Sequence, residues 1–145
     1  MRDIYAISFR RVLCDAATFL PHDVYDHCIR VMLYIMSNAD IPENLRDVCI
    51  VTAVAHDLVE DSAVKMEDLK YLPTIAYEAL ELLTRDKNVN YIQYVKNIVA
   101  SRRIPKGDVA YWVKLADMKD HLAQKDTLTD KLRTKYMEAL PYLLP

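Results

Sequence analysis

A chain of 145 residues, 52% apolar and with a formal net charge of −2, can bury a substantial core and suits one compact domain. That charge gives no general electrostatic reason to bind nucleic acid or a membrane surface, and no apolar run approaches a membrane span. A single glycine, Gly107, set among many helix formers, argues against sheets and tight hairpins and for an all-α fold.

The N-terminal stretch MRDIYAISFRRV has no secretory signal pattern, and Cys14, Cys28 and Cys49 are scattered in apolar surroundings. These features predict a cytoplasmic protein with buried free thiols, not a disulfide framework or a cysteine zinc site. The first helix is expected over roughly residues 2–20, ending before Pro21. The second is expected over about 24–37, with Ile29, Leu33 and Met36 recurring every three or four residues and His22 preceding it in a loop. Asn38-Ala39-Asp40 closes that helix. Pro42 opens the next, where its missing N–H is harmless, and that helix runs from Asn44 to about Leu58 or on to Asp61. Residues 62–65 connect to a short helical turn at 66–71, and Pro73 starts a helix through Leu83. The polar loop 86–90 ends in Asn90, an N-cap for a helix over 91–102. Ile104-Pro105-Lys106-Gly107 breaks the chain again. A helix over about 108–124 follows, then a last one capped by Thr129 or Asp130 and reaching Tyr142. The sum is a bundle of seven or eight helices.

The densest chemistry sits at His56-Asp57-Leu58-Val59-Glu60-Asp61, which ends the apolar run 48–55. Three carboxylates and an imidazole fall within six residues, with no Lys or Arg until Lys65. On one continuous helix His56 and Glu60 share a face, as do Asp57 and Asp61. Negative charge at a helix C-terminus opposes the macrodipole, and like charges at these spacings repel. A bound cation reverses both penalties; a solvated acidic helix end is the alternative. Two further donors of suitable type are His27 in the second helix and Asp117 in Val113-Lys114-Leu115-Ala116-Asp117. With His56 and Asp57 they make two imidazoles and two carboxylates from three helices. That mixed set suits Mn²⁺, Fe²⁺, Zn²⁺ or Mg²⁺ and leaves positions free for water and substrate. The alternatives are a His27 satisfied within the core or its rim, and an Asp117 paired at the surface with Lys114 or His121. Among ten tyrosines, Tyr71, Tyr77, Tyr91, Tyr94 and Tyr111 could stack on a base or simply pack at the rim, and Tyr25 and Tyr91 are the first to test.

The order His27, His56-Asp57, Asp117 resembles the HD-domain metal-dependent phosphohydrolases. Within them, Ala55-His56-Asp57-Leu58-Val59-Glu60-Asp61-Ser62 resembles the HDxxED element of the RelA/SpoT-type alarmone hydrolases and their small single-domain relatives. The Lys114-Leu115-Ala116-Asp117 segment resembles the one that delivers the last metal aspartate in that branch. Weaker echoes are Leu83-Thr84-Arg85 with Tyr91, and Lys135-Tyr136-Met137-Glu138-Ala139-Leu140. The resemblance covers about residue 20 to the C-terminus.

It implies that residues 1–145 form a single HD-type phosphohydrolase domain. It also implies one divalent ion, usually Mn²⁺, held by His27, His56, Asp57 and Asp117. Glu60 and Asp61 would handle the attacking water and its proton. The implied substrate is a phosphorylated nucleotide, with removal of 3′-pyrophosphate from guanosine tetra- or pentaphosphate as the leading reaction. Two alternatives remain. One is release of orthophosphate from nucleoside monophosphates or another small phosphorylated metabolite. The other is nucleotide binding without turnover. No nucleic-acid or membrane partner is expected. Two positions depart from the alarmone branch. His121 stands where that branch commonly has Asn, and the stretch 18–26 lacks the basic motif that precedes the first metal histidine. A phosphorylated substrate calls for nearby positive charge, and Arg85 and Lys114 are the candidate contacts, with His121 a third. The alternative for Lys114 is an ion pair with Asp117 or Asp120.

Overall fold

The computed structural model describes residues 1–144. Its helices are α1 (Asp3–Phe19), α2 (His22–Ser37), α3 (Glu43–Ala55), α4 (Leu58–Asp61), α5 (Thr74–Leu83), α6 (Tyr91–Ala100), α7 (Pro105–Ala123) and α8 (Asp130–Leu143). A short 3-10 turn, Met66–Leu69, precedes α5, and there is no strand among the described residues. The all-α expectation holds. No described helix is long and apolar enough to cross a membrane.

The centre of the molecule is α3. Nine of its residues are buried, including the unbroken run Val48–Ala55, because α1, α2, α5 and α7 pack around it. A helix enclosed on all sides needs no polar face, which is why this stretch reads as continuously apolar. The buried face of α7 meets α2, α3 and α5, while α8 lies mainly on α6 and α7. The turn between α2 and α3 is held by Arg46, whose guanidinium donates to the carbonyls of Ile35, Asn38 and Ile41 at 2.9–3.2 Å. The bonds to Ile35 and Asn38 satisfy carbonyls at the end of α2, and the one to Ile41 ties down the connection to α3.

Several boundaries differ from the sequence reading for local reasons. Pro21 sits at the N-cap position with φ −54°, so α2 begins at His22, which is helical and not in a loop. Pro105 does not break the chain. It occupies the first turn of α7, and Gly107 lies inside that helix. Glycine is required there by a close crossing, since an added Cβ would fall 1.8 Å from the Ser101 carbonyl oxygen. Asn90 and Thr129 are the N-caps of α6 and α8, accepting from Gln93 N and Leu132 N. Cys28 and Cys49 are buried free thiols, but Cys14 is exposed, contrary to expectation.

Candidate metal centre

The expected continuous helix through Asp61 is interrupted at His56 and Asp57. α3 stops at Ala55, Asp57 has φ −103° and ψ −1°, and a new turn starts with the Asp61 N–H bonded to the Asp57 carbonyl at 2.9 Å. In an unbroken helix, adjacent residues point about 100° apart. The break instead turns both side chains toward one point, with His56 Nε2 3.2 Å from Asp57 Oδ2.

Two other helices reach the same point. From α2, His27 Nε2 lies 3.6 Å from Asp57 Oδ2 and 2.8 Å from Asp117 Oδ1. From α7, Asp117 Oδ1 also lies 3.3 Å from His56 Nε2. His27, His56 and Asp117 are buried, and Asp57 opens toward the pocket above. The side chains thus form two overlapping groups of donor atoms with metal-compatible spacing, His27–His56–Asp57 and His27–Asp117–His121.

The outer bonds of the two imidazoles decide what their inner nitrogens present. His56 Nδ1 donates to the Ala53 carbonyl at 2.7 Å. His27 Nδ1 donates to the Asp120 carboxylate at 2.6 Å. Both acceptors lack protons, so Nδ1 carries the hydrogen in each ring, and a neutral ring then presents the Nε2 lone pair inward. Such outer bonds orient metal-binding histidines and raise their basicity. The donor set therefore fits a divalent ion. Its chemistry, mixed imidazole and carboxylate, does not single out one metal.

The charges in the cluster are strongly interdependent. Burial alone would lower the pKa of His56, but Asp57, Cys28 and Asp117 together hold it well above the ordinary value. For His27 burial again lowers the pKa, and the bond to Asp117 together with the charges of Asp117 and Asp57 raises it on balance. Burial would raise Asp117, yet the Lys114 ammonium, 2.7 Å from Oδ2, and the three histidines around it hold its pKa well below the usual range. Lys114 is itself buried and is kept charged by Asp117.

Above the cluster lies a pocket of about 560 Å³. Glu60 and Asp61 line it from α4. The Glu60 carboxylate accepts a bond from the Arg85 backbone N–H at 2.8 Å, which ties it to the loop after α5. Partial burial, then repulsion from Asp57 and Glu60, raises the pKa of Asp61. Three cations line the same pocket and gather around Tyr91. Arg85, Lys114 and Lys135 lie 6.0, 5.1 and 4.3 Å from the Tyr91 ring centroid. Partial burial and repulsion from Lys114 and Arg85 lower the pKa of Lys135.

His27, His56, Asp57 and Asp117 therefore meet at one point, with Glu60, Asp61, Arg85, Lys114 and His121 around the pocket over it. Asp117 bonds both Lys114 and His121, the two partners considered for it, but as a buried group and not a surface pair. Tyr91 and Tyr94 line the pocket, whereas Tyr25 does not; it faces a separate groove with Phe9 and Leu13. The hydroxyls of Tyr71, Tyr94 and Tyr111 bond to Asp15, Leu83 O and Leu143 O, so they serve packing. Asp120, Arg30, Lys135 and Tyr136 were not anticipated as parts of the site. Asp120 is fully buried between His27 and Arg30, whose Nε donates to it at 2.9 Å. Its position three residues after Asp117, on the same helix face, was the available signal.

These features define an all-helical domain in which a break after the central helix and two flanking helices gather histidine and aspartate donors beneath a pocket. No family model matches the chain, and no curated protein matches it by sequence. Among solved structures, it shares its fold with a metazoan ortholog of SpoT that hydrolyzes ppGpp and plays a role in starvation responses. The TM-score is 0.68 over 99% of this chain and 87% of that one, at 17% identity. The likeness to the SpoT-type branch read from the motifs thus extends to the HD-type fold.

Proposed function

We propose that the chain is a single HD-type domain acting as a divalent-metal-dependent phosphohydrolase on a nucleotide in the cytoplasm. Pyrophosphate release from a guanosine alarmone is the leading reaction. The observation that carries this reading is the convergence of two imidazole Nε2 atoms and two aspartate oxygens under a pocket lined by Arg85, Lys114 and Lys135. The fold shared with a ppGpp hydrolase supports the same conclusion.

His27, His56, Asp57 and Asp117 would hold the ion, with Mn²⁺ the first to test. When bound, a divalent ion lowers the pKa of water and offsets charge on phosphate oxygens. The rest of the chemistry falls to the chain. Glu60, which accepts from the Arg85 N–H, would hold a water in line by accepting its hydrogen bond. Asp61, whose pKa partial burial raises, would be the second proton-handling carboxylate. Arg85, Lys114 and Lys135 offer donors to phosphate oxygens. The aromatic faces of Tyr91 and Tyr136 border the same space.

One observation favours the second reading, orthophosphate release from a smaller phosphorylated metabolite. Asp23 and Asp26 line the pocket from the stretch where the alarmone branch has basic residues. The deciding assay incubates the Mn²⁺-loaded protein with guanosine tetra- and pentaphosphate and with a panel of nucleoside monophosphates. Pyrophosphate from the former supports the leading reaction, and orthophosphate from the latter supports the second. Bound metal without hydrolysis of any member would make the chain a binding protein.

A further inference from the structure

We propose that His121 is a ligand of this metal centre, a third imidazole alongside His27 and His56, and that it biases the site toward ions that favour nitrogen donors. The inference rests on the metal-centre reading above and concerns a residue otherwise assigned only a possible contact with substrate. His121 Nε2 lies 3.1 Å from Asp117 Oδ1, the oxygen that faces His27 Nε2 at 2.8 Å and His56 Nε2 at 3.3 Å. Three imidazole nitrogens, from α2, the break after α3, and α7, thus surround one carboxylate oxygen. Donor atoms about 2.0–2.2 Å from a shared ion lie roughly 3–4 Å from one another. The donor atoms of His27, Asp117 and His121 all fall within 4.8 Å of each other, close to that geometry.

The ring is held there from both sides. It stacks on Tyr136 with centroids 5.0 Å apart and planes 10° apart, and its centroid is 4.3 Å from that of His27. The i,i+4 spacing brings His121 to Asp117, and its Nε2 meets the oxygen that also faces both other imidazoles, while Lys114 Nζ lies 2.7 Å from the other oxygen. A simple substrate contact would not require Nε2 to turn inward onto the buried aspartate.

The consequence is a change in ligand character. Two imidazoles and two carboxylates suit Mn²⁺ or Mg²⁺ about as well as other ions, whereas imidazole-rich sets suit Zn²⁺, Fe²⁺ and Co²⁺-like ions. A fifth protein donor also leaves fewer positions for water and substrate.

The test titrates chelator-stripped wild type, His121→Asn and His121→Gln with Co²⁺ and with Mn²⁺, following the visible Co²⁺ bands and the free Mn²⁺ EPR signal. Thermal melts show that each variant is folded. Expected are a loss of Co²⁺ affinity of at least about 10–100-fold and altered Co²⁺ bands in both variants, with a smaller loss of Mn²⁺ affinity, since Mn²⁺ depends less on nitrogen donors. Pulsed EPR of Mn²⁺-loaded wild type, which needs no variant, is expected to register three imidazole nitrogens. Unchanged Co²⁺ affinity and bands in the variants, or two nitrogens in wild type, would overturn the role of His121. Wild type that takes up neither ion would instead reject the centre as a whole.

Discussion

His27 Nδ1 and Asp120 Oδ2 are 2.6 Å apart, joined across ninety-three positions of sequence at the contact of α2 with α7. The bond fixes the tautomer and aim of the imidazole whose Nε2 belongs to both donor groups. Asp120→Ala is therefore expected to weaken metal binding by about 10–100-fold without removing a ligand. It would also release Arg30 from its buried partner and destabilise the fold by about 1.5–3 kcal/mol. Asp120→Asn, whose carbonyl still accepts from Nδ1, should recover part of the affinity. Isothermal titration with Mn²⁺ on both variants checks this, and equal affinities for wild type and Asp120→Ala would refute it.

Removing a ligand and removing a proton handler should separate cleanly. Asp57→Ala and Asp117→Ala are expected to lose metal and activity together. Glu60→Ala is expected to retain metal and lose most turnover. Asp117→Ala carries a second penalty, about 3–5 kcal/mol of stability, because it leaves the buried Lys114 ammonium without its partner. Elemental analysis beside turnover and denaturant melts reads all three. Wild-type turnover in Glu60→Ala would remove it from the chemistry.

The histidines set a pH dependence of definite sign. Both His27 and His56 are raised above 6.5 in the absence of a bound ion. A raised histidine contributes stability that is fully present below the unfolded value and is lost as pH rises through the folded one. Stripped protein should therefore lose stability as pH climbs past 6.5. A metal must displace these protons, so its affinity should increase over the same range. The melting-temperature gap between Mn²⁺-loaded and chelated samples is expected to widen from pH 6 to pH 9; a constant gap would contradict the assignment.

Gly107→Ala tests the crossing that positions α7. The new methyl would meet backbone at Ser101, which cannot swing aside as a side chain could. Separating the end of α6 from the start of α7 should destabilise the protein by about 3 kcal/mol. Urea denaturation measures it, and a loss under about 0.5 kcal/mol would show that the crossing relaxes freely.

The helices were legible because their apolar spacing is local, and the donors were legible because His56-Asp57 and Asp117 sit in distinctive short segments. The break at Asp57 was not, since nothing in Val48–Leu58 departs from helical patterning. Its cause is tertiary, the turning of two adjacent side chains to one point. Asp120 was hidden for a related reason. Met118-Lys119-Asp120-His121 reads as an ordinary polar helix edge, and only the approach of His27 and Arg30 from a distant helix makes its carboxylate a buried support. Pro105 misled because a proline marks a helix start as readily as a break, and only the chain path decides between them.

His56 and Asp57 directly follow the innermost helix, whereas the outermost one brings Lys135 and Tyr136 to the lining of the pocket. Donors anchored on α3 share the cooperative stability of the interior, whereas Lys135 and Tyr136 ride on α8, which leans chiefly on α6 and α7. Amide exchange should accordingly run faster along α8 than along α3, and equal protection would show one cooperative unit. An opening confined to that outer helix would widen the path for a bulky nucleotide while the cation stayed gripped from within, so turnover could tolerate a breathing rim around a rigid base.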